Sequence, residues 1–294
     1  MQRATRIPIA GVHSPVYHVS DTSSTLDLAA SLLADTTTAT PHLTTIIADR
    51  QSAGRGRLGR TWTAPDGQAL LASTIVSLPT SFPTEMLGWL VHACALSVRD
   101  ALSPRLSPLG HTVYMKWPND VLVDGARKIC GILAQLAPAS SPFTTSAILG
   151  YGINIAQDCD HLATPQATSL YAEGDAEAGA DPTSVSHTLL AQILAGLDSR
   201  IRGLVTHGNA RDCGLADEAA NALPLLGTRI ALAKPTDPNG HPAMEGVALG
   251  LSPTGSLLVA TDDGRTHDIN AGDVLATGIP LTTVHDTKEK RANN

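Results

Sequence analysis

Gly54, Arg55, Gly56, Arg57, Leu58, Gly59 and Arg60 put three arginines and three glycines into seven consecutive residues. Guanidinium groups grip phosphate oxygens through planar, forked donors, and glycines let a backbone pass close to a ligand. The chain as a whole carries a net charge of −7, so this local cluster of positive charge points to an anionic ligand beneath a loop that folds over it. The spacing is that of neither the Walker A loop nor the dinucleotide fingerprint, so an adenosine phosphate here needs a different cradle.

A second group follows in VYMKWPNDVLVDGARKICGILAQL, which starts at Val113. Lys116 and Lys128 are the two lysines between Met1 and Ala233, and both fall in this segment. A lysine is a compact point charge suited to neutralising a carboxylate or a transferring phosphoryl group. Asn119 and Asp120 come directly after Trp117 and Pro118. Asp120 suits Mg²⁺, which takes one or two protein carboxylates alongside substrate phosphates, and the pair equally suits a plain turn. Taken together, these residues belong to an enzyme that brings a carboxylate against a nucleoside triphosphate. Two anions repel, so cations and Mg²⁺ must screen their approach.

Elements that would position these groups are legible in the pattern. A strand is expected at residues 16–19, then a helix with Leu26, Ala29, Ala30 and Leu33 on one face, preceded by capping residues at 21–24. The β-branched run at 44–49 reads as a buried strand leading straight into the arginine loop. Residues 69–77 read as another strand, and 83–102 as a helix with proline in its first turn. Asp124 and Gly125 mark a hairpin tip. A strand pair is expected over 144–155, a mobile loop over 172–181 and a helix over 183–205. Beyond Leu225 come short strands separated by glycine-containing turns, most simply a small barrel.

The chain has 294 residues, 43% of them hydrophobic and 16% charged, enough for one large domain or a large and a small one, and too apolar for general disorder. The acidic balance disfavours a nucleic-acid-binding protein. No apolar run reaches the roughly 18 residues of a membrane helix and no signal-peptide pattern opens the chain, so a cytoplasmic protein without a membrane is expected. Cys94, Cys130, Cys159 and Cys213 show no zinc-site spacing and are expected as buried thiols.

QSAGRGRLGRTW, KWPNDVLVDGARKICGIL and GYGIN, in that order over residues 51–154, resemble the biotin protein ligases, which activate biotin with ATP and attach it to a lysine of a carrier protein. The resemblance implies an α+β fold: a mixed β-sheet backed by helices, class II synthetase-like, over residues 15–224, with a small C-terminal SH3-like β-barrel over 225–280. Residues 1–14 and 281–294 would be flexible. By the same resemblance, Ser24, Thr25, Gln51, Gly54, Arg55, Lys128 and Gly131 would bind biotin, with Gly131 leaving space for the ligand. Arg55, Gly56, Arg57, Gly59, Arg60, Trp62, Asn119 and Asn154 would hold the adenylate. Lys128, Lys116, Asp120 and Arg57 would be catalytic, with Asp120 also at the metal.

ATP and Mg²⁺ would serve as co-substrate and activator and biotin as substrate, with no tightly bound prosthetic group. The partner would be a biotin carboxyl carrier protein domain of acetyl-CoA or a related carboxylase. A DNA-binding role is not expected, because the first catalytic strand starts near Val16. An edge strand on either domain is free to pair in a homodimer, although no motif dictates one. The sequence departs from the family's pattern at Leu26, where an asparagine is usual; Asp27 or helix packing would take over that contact.

Overall fold

In a computed structural model, residues 4–35, 37–141, 144–233 and 242–277 are described. An eight-stranded sheet contains β1 (Thr5–Ile7), β2 (Val16–Thr22), β3 (Thr45–Gln51), β4 (Ala69–Pro79), β5 (Val113–Lys116), β6 (Asp120–Val123), β7 (Arg127–Ser141) and β8 (Thr144–Asn154). Its spatial order is β1-β2-β3-β4-β8-β7-β6-β5. The β2–β3 pair is parallel and the other neighbours are antiparallel, so the sheet is mixed, as expected. Residues 5–7, expected in a flexible N-terminus, add β1 at the sheet edge through pairing with β2.

The central strand β4 is buried along nearly its whole length without alternation, as a strand covered on both faces must be. On one face lie α2 (Gly88–Leu106) and α4 (Pro182–His207), whose Leu90, Ala93, Leu96, Leu189, Ile193 and Leu197 join the larger core. On the other lies α1 (Thr25–Ala34), with Leu26, Ala29 and Leu33 packed on Ile46, Ile75 and Ile148. Helices therefore cover both faces, and the part of the second face that α1 leaves open carries the site.

Asp124 and Gly125 form the tip between β6 and β7 with φ of 51° and 71°, and Ala126 N donates back to Val123 O at 3.1 Å, closing a tight turn whose two central residues are left-handed. The strand pair expected over 144–155 is instead one strand, β8, whose residues 144–154 all pair with β4 and, except Thr145 and Asn154, also with β7. Within the expected loop at 172–181, Asp175 accepts from the amide of Ala178 and caps the short helix α3 (Ala176–Ala180). A further helix, α5 (Leu215–Ala222), buries Leu215, Ala219 and Ala222. Cys94 and Cys130 are buried, whereas Cys159 is exposed and Cys213 half-buried, so the expectation of four buried thiols fails at two positions.

A second sheet holds β9 (Arg229–Ala233), β10 (Pro242–Leu251), β11 (Leu257–Ala260), β12 (Thr266–Ile269) and β13 (Asp273–Thr277) in the order β12-β11-β10-β9-β13. This corrects the expected barrel: the outer strands β12 and β13 do not pair among the described residues, so the sheet is open. The four residues of β12 alternate between exposed and half-buried, so this strand offers no buried apolar row with which to close. The turn between β10 and β11 docks on α2, where Trp89 Nε1 donates to Pro253 O at 2.8 Å and His92 Nε2 lies 2.7 Å from Gly255 O. The tail expected at 281–294 lies outside the described residues.

Candidate active site

On the face shared with α1, β8 presents Ile148, Gly150, Gly152 and Asn154, and Gly131 of β7 lies opposite Gly152. These glycines lower the floor of the sheet. A Cβ at Gly150 would fall 2.8 Å from Leu26 Cγ, and one at Gly131 3.0 Å from Trp62 Cζ3 and 3.2 Å from Lys128 Nζ. Gly131 thus lets the Trp62 indole and the Lys128 side chain lie close against the sheet, and it lines the cavity itself. Above this floor is a cavity of about 390 Å³.

Its neutral end is built by the start of α1 and the end of β3. Gln51 Oε1 accepts from the Thr25 amide at 2.8 Å and its hydroxyl at 3.1 Å, and Ser73 Oγ donates to Thr25 Oγ1 at 2.8 Å. Ser24 also lines the cavity, and its hydroxyl is buried with no protein partner. A buried hydroxyl without a partner carries a desolvation penalty that a polar ligand removes. Leu26 lines the wall beside it and belongs to the core under α1.

The charged end comes from the arginine loop, the β6–β7 hairpin and the C-terminal sheet. The loop folds back on itself: Gly56 N donates to Arg60 O at 2.7 Å, and Trp62 N to Gly54 O at 2.9 Å. Arg57 donates to Asn119 Oδ1 at 3.0 Å and to Gly272 O at 3.3 Å, and lies 3.8 Å from Asp273. Burial pushes the Arg57 guanidinium below its ordinary pKa, against the pull of Asp273 and Asp120. Arg60 pairs with Asp273, and Arg55 with Asp27 at 2.5 Å. Lys128 Nζ is 2.7 Å from Asp120 Oδ1, in a close ion pair rather than an aligned hydrogen bond, and 5.7 Å from the centre of the Trp62 ring.

Of the residues singled out in the sequence, Ser24, Thr25, Gln51, Arg55, Gly56, Arg57, Arg60, Trp62, Asn119, Asp120, Lys128, Gly131 and Asn154 all line this one cavity. Gly54, Gly59 and Lys116 do not. Lys116 ends β5 opposite Asp120 but contributes no charge to the cavity wall. Asn154 lines it with an amide already engaged: Nδ2 donates to Thr168 O at 2.8 Å, and Oδ1 accepts from Gln157 at 3.1 Å. Asp273, Thr164 and Ala167 join the lining without a signal in the local sequence. Among the described residues no three His, Cys, Asp or Glu side chains gather to hold a metal, and no helix is long and apolar enough to cross a membrane.

Residues 20–154 match the Biotin/lipoate A/B protein ligase family, and residues 236–275 the Biotin protein ligase C terminal domain. The chain is 34% identical over 230 residues to the biotin--[acetyl-CoA-carboxylase] ligase of Mycobacterium tuberculosis, covering 78% of this chain and 77% of that one. It is 31% identical over 224 residues to the protein of the same name from Paracoccus denitrificans, covering 75% and 85%. The biotin protein ligase of Aquifex aeolicus, solved in complex with biotin and ATP, shares the fold at a TM-score of 0.64 and 23% identity, over 90% of this chain and 98% of that one. With the motifs of the arginine loop and the hairpin converging on one cavity and these similarities spanning most of the chain, the chain belongs to the biotin protein ligase family.

Proposed function

We infer that this protein activates biotin with ATP as biotinyl-5'-AMP and transfers the biotinyl group to a lysine of a carrier protein. One observation carries the reading beyond family membership. A single cavity has a neutral hydrogen-bonding end at Ser24, Thr25 and Gln51 and a cationic end at Arg55, Arg57, Arg60 and Lys128. A ligand that is neutral and polar at one end and anionic at the other fits it. Biotin's ureido ring suits the first end, Leu26, Ile132 and Leu133 supply an apolar wall for the thiophane and alkyl chain, and the carboxylate meets the second.

In the first half-reaction, a biotin carboxylate oxygen attacks the α-phosphorus of ATP, and the bond to the β-phosphoryl oxygen breaks as pyrophosphate leaves. Lys128 and Arg57 bring cationic charge to the point where two anions meet, and their work is positioning and charge stabilisation. Asp120 is a single carboxylate at this end, and one carboxylate with nucleotide phosphates and water is a donor set that Mg²⁺ accepts. The ion would neutralise developing charge on the phosphoryl oxygens.

In the second half-reaction, the neutral ε-amine of the acceptor lysine attacks the carbonyl of the mixed anhydride. AMP leaves, an amide forms and the amine loses a proton. The arginine loop covers the intermediate against water, and Asp120 is the nearest candidate to orient the amine. A carboxyl carrier domain of acetyl-CoA or a related carboxylase is the acceptor we propose. Incubation with ATP, Mg²⁺, biotin and such a domain should add one biotinyl group to its acceptor lysine by intact-mass measurement. An unchanged mass would refute the transfer step.

A further inference from the structure

Resting on the reading of Lys128 above, we propose that Glu173 is a positioning residue for Lys128. Glu173 lies in a stretch with no periodic pattern and does not line the cavity, yet its side chain is only 6% exposed. Its carboxylate accepts a two-pronged contact from Arg127, with Nε at 2.6 Å and Nη2 at 2.8 Å, and the Thr168 hydroxyl at 2.5 Å. His111 Nε2 lies 3.4 Å away. Arg127 immediately precedes Lys128 on the hairpin. Thr168 belongs to the segment across it, where Lys128 N donates to Gln166 O at 2.7 Å and Thr168 N to Lys128 O at 2.9 Å. Glu173 therefore ties together the two pieces of backbone that hold Lys128 from either side.

The local strand geometry explains why such a tie is needed. Val121 pairs with Cys130 but Leu122 with Lys128, so β7 carries one extra residue, Ile129, between them. A bulge re-aims the neighbouring side chain and removes ladder hydrogen bonds that would otherwise fix it. Lys128 is at this irregularity, paired with Leu122 of β6 on one edge, and the segment at 166–168 bonds it on the other edge, where pairing with β8 begins only at Cys130. Asp124 at the hairpin tip completes the frame, holding Arg127 Nη2 at 2.8 Å, His111 Nδ1 at 2.8 Å and the Thr112 amide at 2.9 Å. A bidentate carboxylate–guanidinium pair fixes geometry as well as charge, and it sets the backbone from which Lys128 reaches Asp120 and the cavity.

The test is a double-mutant cycle read as biotin-dependent exchange of labelled pyrophosphate into ATP by the full-length protein. Glu173→Gln should lower kcat by about tenfold, with the KM for biotin unchanged within about twofold, because the Ser24–Thr25–Gln51 end is untouched. In the Lys128→Ala background the same change should lower the residual exchange by less than about twofold. Thr168→Val, which removes one donor and leaves the ion pair, should show the same pattern with a smaller loss, and it carries the test if Glu173→Gln does not fold. Equal fold-losses in the two backgrounds, or no loss in the wild-type background, would overturn the proposal. An inactive wild type would instead overturn the reading of the site on which it rests.

Discussion

Gly152 offers a sharp steric test of how Trp62 sits in the site. It lies within β8, paired with Leu71 of β4 on one side and Gly131 of β7 on the other, so the backbone beneath it has little freedom to retreat. Its φ is outside the left-handed region, and alanine brings no backbone strain. A Cβ there would lie 2.4 Å from Trp62 Cε2, 2.6 Å from Nε1 and 2.7 Å from Cζ2. Ordinary contact starts near 3.4 Å, so Gly152→Ala obliges the indole to move by about 1 Å. Overpacking on this scale costs about 1–3 kcal/mol.

The side that yields is the arginine loop, because residues 58–61 are exposed whereas β8 is buried. Moving the ring also weakens its contact with Lys128, worth about 0.5–1 kcal/mol at a partly exposed site. The cost should therefore appear mainly in kcat/KM for ATP, with a fall of about 5- to 30-fold for 1–2 kcal/mol. The Tm should fall by less than about 4 °C, since 1 kcal/mol corresponds to about 2–4 °C in a domain of this size. Pyrophosphate exchange and differential scanning calorimetry read the two quantities. Combining Gly152→Ala with Trp62→Leu should lose less than the sum of the single changes. A Gly152→Ala protein with wild-type kcat/KM and Tm would refute the reasoning.

Three further outcomes are expected. Lys128→Ala should lower biotin-dependent pyrophosphate exchange by at least about 100-fold, the scale of losing one cation or donor aimed at developing charge, with far-ultraviolet circular dichroism unchanged; near-normal exchange would exclude a direct role. Asp273→Asn removes the carboxylate shared by Arg57 and Arg60 and should speed release of biotinyl-AMP, measured with labelled biotin by rapid filtration, and an unchanged release rate would count against a loop held from the C-terminal sheet. Burial holds the His92 imidazole below its ordinary pKa of 6.5 despite its bond to Gly255 O, so the unfolded chain binds more protons as pH falls through 6.5 and the protein should lose stability there. In His92→Gln that acid-side loss of Tm should be shallower, and an unaltered slope would remove His92 from the explanation.

The parts of the site that follow from local chemistry were legible in the sequence. The arginine loop and the Asp124–Gly125 tip announce themselves by residue type and spacing, whereas Ser24 and Thr25 were marked only by the resemblance, and most of the loop and hairpin residues meet in one cavity. Lys116 shows the limit: one residue's place along a short strand decides which wall a side chain joins, and the pattern VYMK does not encode it. Asp273 and Glu173 were illegible for another reason. Their partners Arg60 and Arg127 are 213 and 46 residues away, and an acidic residue in a surface-like stretch has no local mark of burial. The open C-terminal sheet likewise depends on whether two outer strands meet, which turn spacing alone does not decide.

The central claim, that cations from the loop and the hairpin converge so that a carboxylate can attack ATP, is tested most directly by exchange of labelled pyrophosphate into ATP with no carrier protein present. The exchange should require biotin and Mg²⁺ and should not occur with lipoate in place of biotin. No biotin-dependent exchange, or exchange supported by lipoate and not by biotin, would contradict it.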